Sequence, residues 1–109
     1  MMGDGGRTAI PDIEPMLRDP EAYVRVWAAA TLLILEPGHP GASAALLDGL
    51  KDEKYFVRSL AVWHLGRLAH CPESLGDIKR HLEGMAGDPD PSVRAEVAIA
   101  LRHLRCPGR

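Results

Sequence analysis

The fold is decided by the stretch DEKYFVRSLAVWHLGRL, residues 52–68. It aligns without gaps with DPEAYVRVWAAATLLIL at residues 19–35 and with DPDPSVRAEVAIALRHL at residues 88–104. Counted from the valine of each copy, an Asp lies at −5, an Arg at +1, small or apolar residues at +4 and +5, and Leu at +8 and +11. The spacing 0, +4, +8 and +11 has the period of an α-helix and not that of a strand. The sequence therefore predicts one helical unit repeated three times, with the reference valines Val24, Val57 and Val93.

Start and stop signals place these helices near residues 21–35, 54–69 and 91–105. The repeated Asp is expected to cap each helix, and proline suits a first helical position. Prolines also follow the three helix ends, at Pro37, Pro72 and Pro107. A shorter segment with helical apolar spacing precedes each helix, marked by Ile10, Ile13 and Leu17, by Leu46, Leu47 and Leu50, and by Leu75, Ile78, Leu82 and Met85.

Six helices in three helix–turn–helix pairs predict an all-α solenoid. Its repeats are expected at about 9–36, 41–70 and 74–106, within a single domain spanning residues 1–109. An irregular six-helix bundle is the alternative, but a bundle does not explain why the same Asp and Arg recur in every copy.

The repeated pattern Asp-Pro-x-x-x-Val-Arg-x-x-Ala-Ala-x-x-Leu resembles the HEAT repeat. It is most similar to the short bacterial HEAT-like repeat of the phycobilisome-lyase type, over residues 9–105. The resemblance implies a right-handed superhelix of the armadillo and HEAT type. It implies little about activity, because such repeats occur in scaffolds, lyases, hydroxylases and appendages of unrelated enzymes.

The arginine at +1 is predicted to need a fixed partner. On a helical wheel the core positions fall at about 0–140° and this arginine at about 100°, inside the apolar arc. A buried unpaired charge is costly. The one acid found at the same position in every copy is the Asp at −5. We therefore predict an Asp–Arg ladder between adjacent repeats, formed by Asp19, Arg25, Asp52, Arg58, Asp88 and Arg94; a row of anion-binding arginines is the alternative.

The opposite arc, at about 180–300° on the same wheel, is predicted to bind a partner. In HEAT-like arrays this side of the second helix lines the concave surface, so the resemblance implies solvent or a partner there. An exposed apolar patch is typical of an interface, and Trp and Arg are common binding anchors. The alternative for the two tryptophans is that they fill local core. The candidate partner-binding residues are Val26, Trp27, Ala30, Leu60, Trp63, Arg67, Ile99 and Arg102.

The helix of the first copy is expected to be covered on more than one side. From Val26 to Leu35 it has no charged residue and is apolar all round, which is typical of a buried helix. The end of a solenoid should instead present a polar face. We therefore expect either a preceding repeat, with this sequence the C-terminal part of a longer array, or a second copy that forms a homodimer through the first repeat.

Composition argues against several classes of protein. The 109-residue chain has 13 basic and 15 acidic residues, a net charge of −2, which disfavours nucleic acid as the main partner. No run of 18 apolar residues predicts a membrane span, and no apolar signal-peptide core is present. The two cysteines, Cys71 and Cys106, do not make a disulfide framework, so a reducing, cytoplasmic location is expected.

No pattern in the sequence predicts catalysis. It contains neither a Gly-rich phosphate loop after a strand nor a Gly-x-Ser-x-Gly elbow. HEAT-like hydroxylases use paired His-Glu dipeptides as iron ligands. In this sequence no histidine is followed by Glu, so it lacks these ligands. His70, Cys71, His103 and Cys106 are the one soft-metal set, and their spacing matches no standard motif. We expect no catalytic residue, no metal and no cofactor.

The leading interpretation is a non-catalytic interaction or scaffold module that binds a protein segment on its concave face. A chromophore-lyase-like or ligand-carrying protein is the second interpretation and is implied by the resemblance alone. A nucleic-acid binder resembling the HEAT-like DNA glycosylases is the third, and the net charge disfavours it.

Overall fold

A computed structural model describes residues 9–68 and 75–104 of the chain, and all regular structure within these two ranges is helical. Predictions that concern His70, Cys71, Pro72, Cys106 and Pro107 lie outside the described residues. Six α-helices are present in the described ranges: α1 (Ile10–Ile13), α2 (Ala22–Leu35), α3 (Pro40–Gly49), α4 (Tyr55–Gly66), α5 (Ile78–Glu83) and α6 (Pro91–His103). A 3₁₀ segment, Glu14–Arg18, continues α1.

The helices form the three predicted pairs of an α-solenoid. In the first pair α2 packs against α1 and the 3₁₀ segment, and the second and third pairs are α3 with α4 and α5 with α6. Between pairs, α2 packs extensively on α3, and α4 packs extensively on α6. The direct interface between α2 and α4 is much smaller. The three copies, alike in sequence, therefore differ in how closely their second helices approach.

The core follows the predicted apolar spacing at most positions, but Val24, Leu35, Leu101 and Leu104 are only partly buried and Ala98 is exposed. Leu32 and Leu65, both at +8, are fully buried, as are Ala28 and Ala61 at +4. The first helices of the second and third pairs contribute Leu46, Ile78 and Leu82, whereas Ile10, Ile13 and Leu17 of the first pair are only partly buried. Burying a side chain of this size is worth about 1.5–3 kcal/mol. The largest fully buried side chains are Leu32, Leu46, Leu65, Leu75, Leu82, Val26, Val57, Val62, Val93 and Val97.

Two glycines bring helices close together. A Cβ on Gly66 would lie 2.5 Å from the Cβ of Ala100 and 2.7 Å from its Cα, so α4 and α6 touch almost backbone to backbone there. A Cβ on Gly49 would lie 2.6 Å from Cγ2 of Val26. Both glycines are required by this lack of space and not by backbone conformation, because neither has a positive φ.

The starts of the second helices differ from the prediction. The Asp at −5 binds the N–H of the residue two places on, and this residue is the N-cap of the helix and not part of its first turn. The three bonds are Glu21 N–H to Asp19 at 2.8 Å, Lys54 N–H to Asp52 at 2.9 Å and Asp90 N–H to Asp88 at 2.9 Å. The Asp therefore folds the preceding loop, as Asp often does in a turn.

Only the last of these helices begins with an Asp cap followed by proline, and this Asp is Asp90 and not the repeated Asp88. Asp90 accepts a hydrogen bond from the Ser92 N–H at 2.8 Å, and Pro91 occupies the first helical position. Pro20 lies before the N-cap Glu21, outside α2, so the prediction of a proline-led helix is wrong for the first copy.

The arginine at +1 closes the same loop in every copy. Its Nη1 donates to the main-chain carbonyl of the Asp at −5, at 2.6 Å for Arg25, 2.8 Å for Arg58 and 2.6 Å for Arg94. This local bond was not predicted. Together with the hydrogen bond that each Asp side chain accepts within its own loop, it gives both residues a role in every copy that needs no interaction between repeats.

Among the described residues, a bond between the repeated Arg of one copy and the repeated Asp of the next forms at one place. Arg58 donates from Nε to Asp88 Oδ2 at 2.9 Å and from Nη2 to Oδ1 at 3.0 Å, and the two side chains are only 14% and 8% exposed. Arg25 was expected to pair with Asp52 in the same way. It binds only the carbonyls of Asp19 and Pro20 among the described residues, so the ladder does not extend to this step. The looser packing between α2 and α4 accounts for the difference.

Candidate interaction surface

The second helices expose a stripe narrower than the predicted arc. It consists of positions −1, +3, +6 and +10, which fall within about 240–300° on the wheel. Position +2 is instead covered in the first copy, where Val26 packs on Gly49 of α3. Position +9 is covered in the second copy, where Gly66 packs on Ala100 of α6. The neighbouring helices therefore cover the near edge of the arc.

We call this set of positions the exposed stripe. Its exposed and partly exposed members are Tyr23, Trp27 and Ile34 on α2, Phe56, Leu60 and Trp63 on α4 with Arg67 directly after it, and Ser92, Glu96, Ile99 and His103 on α6, whereas Ala30 at +6 of the first copy is buried. Along the array the stripe changes from apolar, through aromatic with one cation, to polar and acidic. The surface of a partner that binds the full length of the stripe must change in polarity in the same order.

Both tryptophans belong to the stripe and are exposed. Trp27 is 48% exposed and Trp63 is 40% exposed, so neither is a core residue. Ile34, two turns after Trp27, is 72% exposed and is the most exposed large apolar side chain of the described residues. Such side chains gain free energy when another surface covers them.

Two of the predicted partner-binding residues are buried, so the prediction is wrong for them. Val26 is 1% exposed because it packs against Gly49 of α3, and Ala30 is 3% exposed. Neither presents a surface to a partner. Leu60 and Ile99 are partly exposed at the stripe, whereas Arg102 is exposed at +9, beside the stripe.

Sequence reasoning missed the aromatic residues around position −1. Tyr23 and Phe56 lie one residue before the reference valine, and Tyr55 lies two before it, and all three are about half exposed. The signal was present, because two of three copies carry an aromatic at −1 and the wheel places it beside +3. Position −1 precedes the valine and so lies outside the positions from +2 to +10 that form the predicted arc.

A cleft of about 400 Å³ lies beside α4. Tyr55, Phe56, Ser59, Leu60 and Trp63 line it, and α6 contributes Glu96. At this part of the exposed stripe two second helices therefore contribute to one concavity. Helices α4 and α6 approach closely at Gly66, and Glu96 lines the cleft together with the aromatic residues of α4.

The aromatic rings at this site already hold cations. The guanidinium of Arg67 lies 4.5 Å from the centre of the Trp63 ring, and the ammonium of Lys54 lies 5.9 Å from that of Phe56. Both distances suit a cation–π interaction. The ring of His64 meets Trp63 edge to face, with centroids 4.9 Å apart.

The environment of His64 makes the stability of this region depend on pH. Burial, and secondly the charge of Arg67, lower the pKa of His64 from its ordinary value of 6.5. Between the folded and the unfolded pKa, His64 therefore binds a proton in the unfolded chain but not in the folded chain. We expect the free energy of unfolding to fall as the pH is lowered from 6.5 towards the folded pKa. Urea unfolding at pH 7.5 and 5.5 should show a smaller loss for His64→Gln than for the native protein. Arg67→Met should reduce the loss only in part, and equal losses in all three proteins would contradict the assignment.

A second cluster of polar residues lies at the start of α3. His39 is 8% exposed; its Nδ1 accepts the Ala42 N–H at 3.1 Å, and its Nε2 lies 2.7 Å from Oε2 of Glu14. This geometry fixes the histidine as a helix cap, with the proton on Nε2.

Within residues 9–68 and 75–104 no three His, Cys, Asp or Glu side chains are arranged to hold a metal ion. No described helix is long and apolar enough to cross a membrane.

Comparison with known proteins identifies the repeat. The family model described as HEAT repeats matches residues 10–102, which is most of the chain. No curated protein and no solved structure gives a significant match.

Proposed function

Because this chain belongs to the HEAT repeat family, we propose that it is a non-catalytic interaction module whose exposed stripe binds a segment of another protein. Repeats of this family commonly mediate protein–protein interaction. The observation that carries the proposal for this chain is the exposure of Trp27, Phe56 and Trp63 along one face of adjacent helices. Large aromatic side chains on a rigid scaffold are the usual anchors of an interface.

The stripe supports a division of roles among its residues. Trp27, Leu60, Trp63 and Ile99 supply apolar surface, and the rigid stack of α4 on α6 holds the last three in place. Rigid anchors bind with a low entropic cost, because few side-chain rotations are lost. Arg67 and Arg102 flank the apolar residues and are proposed to orient the partner through an acidic group.

The apolar part of α2 favours a macromolecular neighbour as well. Ile34 and Trp27 are exposed on a helix without a charged residue from Val26 to Leu35. The proposed neighbour is a further protein surface: a preceding repeat of a parent chain, an unrelated partner or a second copy. Solution mass separates the last case, because a homodimer through α2 should become monomeric when Ile34 is changed to Glu.

Peptide selection tests the proposed function directly. Peptides enriched from a displayed random library on the native protein should lose affinity for Trp63→Ala by about tenfold or more, since a central aromatic anchor typically contributes at least this much. The affinities are measured in solution by fluorescence anisotropy. Thermal unfolding verifies that the variant is folded.

Met16→Ala is the matched control for this experiment. Met16 is 39% exposed, almost as much as Trp63, but lies on the 3₁₀ segment. Its replacement should leave the affinity of the selected peptides unchanged. The proposal fails if no peptide is enriched, or if the selected peptides bind Trp63→Ala as well as they bind the native protein.

A further inference from the structure

The cleft between α4 and α6 has one charged side chain in an otherwise neutral lining. Of its lining residues only Glu96 is charged at neutral pH. Tyr55, Phe56 and Trp63 provide aromatic surface, and Leu60 provides aliphatic surface. A carboxylate next to aromatic rings attracts a cation twice, through its own charge and through the negative ring faces.

Glu96 has no partner of its own among the described residues. Neither a hydrogen bond nor an ion pair joins its carboxylate to any residue of 9–68 or 75–104, although it is partly buried. The equivalent positions of the other copies, Trp27 and Leu60, are apolar, so the acid is specific to the third copy. A partly buried carboxylate gains free energy when a cation with hydrogen-bond donors reaches it.

The rings of this cleft are placed where cations bind in the same molecule. Arg67 lies on the ring of Trp63 and Lys54 near that of Phe56. Neither cation is among the residues that line the cleft, so Glu96 is the charged residue of its lining. The volume of about 400 Å³ admits a long side chain with its backbone attached.

We propose that this cleft binds a basic side chain, arginine or lysine, of the partner segment. The methylene groups pack against Leu60 and the rings, and the cationic end reaches Glu96. This inference rests on the proposed function for the origin of the side chain, but the chemistry of the cleft can be tested without any partner protein. It also gives the partner a pattern: apolar side chains towards α2, a basic one at the cleft.

The test uses three small probes of matched shape: Nα-acetyl-arginine amide, Nα-acetyl-norleucine amide and Nα-acetyl-glutamate amide, at constant ionic strength. Binding is followed by the NMR signals of the indole N–H groups, and the Trp27→Phe variant assigns the signal of Trp63. The arginine probe should shift the Trp63 signal saturably and leave that of Trp27 unchanged. It should bind about fivefold or more tightly than the norleucine probe, as expected for a cation close to both a carboxylate and aromatic faces.

Glu96→Gln is the decisive variant, because it removes the charge and keeps the shape. It should abolish the preference for arginine over norleucine without changing the affinity for norleucine. Equal binding of arginine and norleucine by the native protein would overturn the proposal, and so would tighter binding of glutamate, an unaltered preference in Glu96→Gln, or no binding at all. Library peptides that depend on Trp63 but carry no basic residue would show that only this inference fails, while the interaction function stands.

Discussion

Replacing Gly66 with alanine is expected to destabilise the protein by about 3 kcal/mol, at the upper end of the cost of overpacking. The added Cβ would lie 2.5 Å from the Cβ and 2.7 Å from the Cα of Ala100. Because the second of these atoms belongs to the backbone, α4 and α6 must separate to admit it. The helical preference of alanine over glycine offsets at most about 1 kcal/mol. The free energy of unfolding from urea titrations measures the effect.

A second substitution and a control make this prediction specific. Adding Ala100→Gly to Gly66→Ala removes the clash between the two Cβ atoms but leaves the new methyl group too close to the backbone of α6, so it should restore part of the lost stability. Gly87→Ala is the matched control, because no atom lies within 4 Å of the added Cβ. If Gly66→Ala is as stable as Gly87→Ala, the close packing of α4 on α6 is wrong. Gly66→Ala should also weaken binding at the cleft, because separating α4 from α6 moves Glu96 away from Trp63.

The sequence could not reveal this close approach, although it predicted the helices well. The period of the apolar residues depends only on the chain itself, and it placed α2, α4 and α6 to within a few residues of their observed bounds. Position +9, by contrast, holds Leu33, Gly66 and Arg102 in the three copies. Nothing in that variety indicates that the glycine touches a neighbouring backbone, because the distance between helices is decided by both surfaces together.

In the candidate site too, the sequence predicted what depends on the helix itself and missed what depends on its neighbours. The wheel correctly placed Trp27 and Trp63 on the exposed side, because both lie far from the apolar arc. It misplaced Val26, which is buried because Gly49 of another helix leaves room for it. It could not distinguish Ala98, which is exposed, from Val62, which is buried at the same position of the second copy. Burial at these edges depends on the neighbouring helix and not on the repeat's own period.

The recurring Asp and Arg carry a similar lesson about repeats. Their recurrence suggested one shared role between repeats, a continuous ladder. The role that all copies share is instead local, since each Arg binds the carbonyl of its own Asp. The pairing between side chains of different repeats is an additional interaction, present where α4 and α6 are close. A repeated motif therefore reports the interaction common to all copies, and the interactions that differ must be read from the packing.

This difference predicts unequal effects for identical substitutions at the three arginines. Arg58→Ala removes the two bonds to Asp88 and those to the carbonyls of Asp52 and Glu53, and it leaves a nearly buried carboxylate without its cationic partner. We expect a loss of about 3 kcal/mol, as is typical when one partner of a buried pair is removed. Arg25→Ala and Arg94→Ala remove only bonds to main-chain carbonyls and should cost about 1 kcal/mol each. Urea unfolding of the three variants, alike in helix position and in the residue introduced, measures the contrast; equal losses would show that Arg58–Asp88 adds nothing to the local bond.

The pH dependence of Arg58→Ala supplies a test that a purely steric role would not pass. The hydrogen bonds from Arg58 lower the pKa of Asp88 below its ordinary value of 3.8. The folded protein therefore holds this carboxylate ionised more strongly than the unfolded chain does. The contribution of the ionised Asp88 to the free energy of unfolding is fully present above about pH 4 and is lost as the pH falls through the folded pKa. In the native protein the free energy of unfolding should decrease over this acidic range, and Arg58→Ala should lose that part of the decrease. Arg25→Ala should keep it, because the carboxylate of Asp88 and its guanidinium partner are intact in that variant.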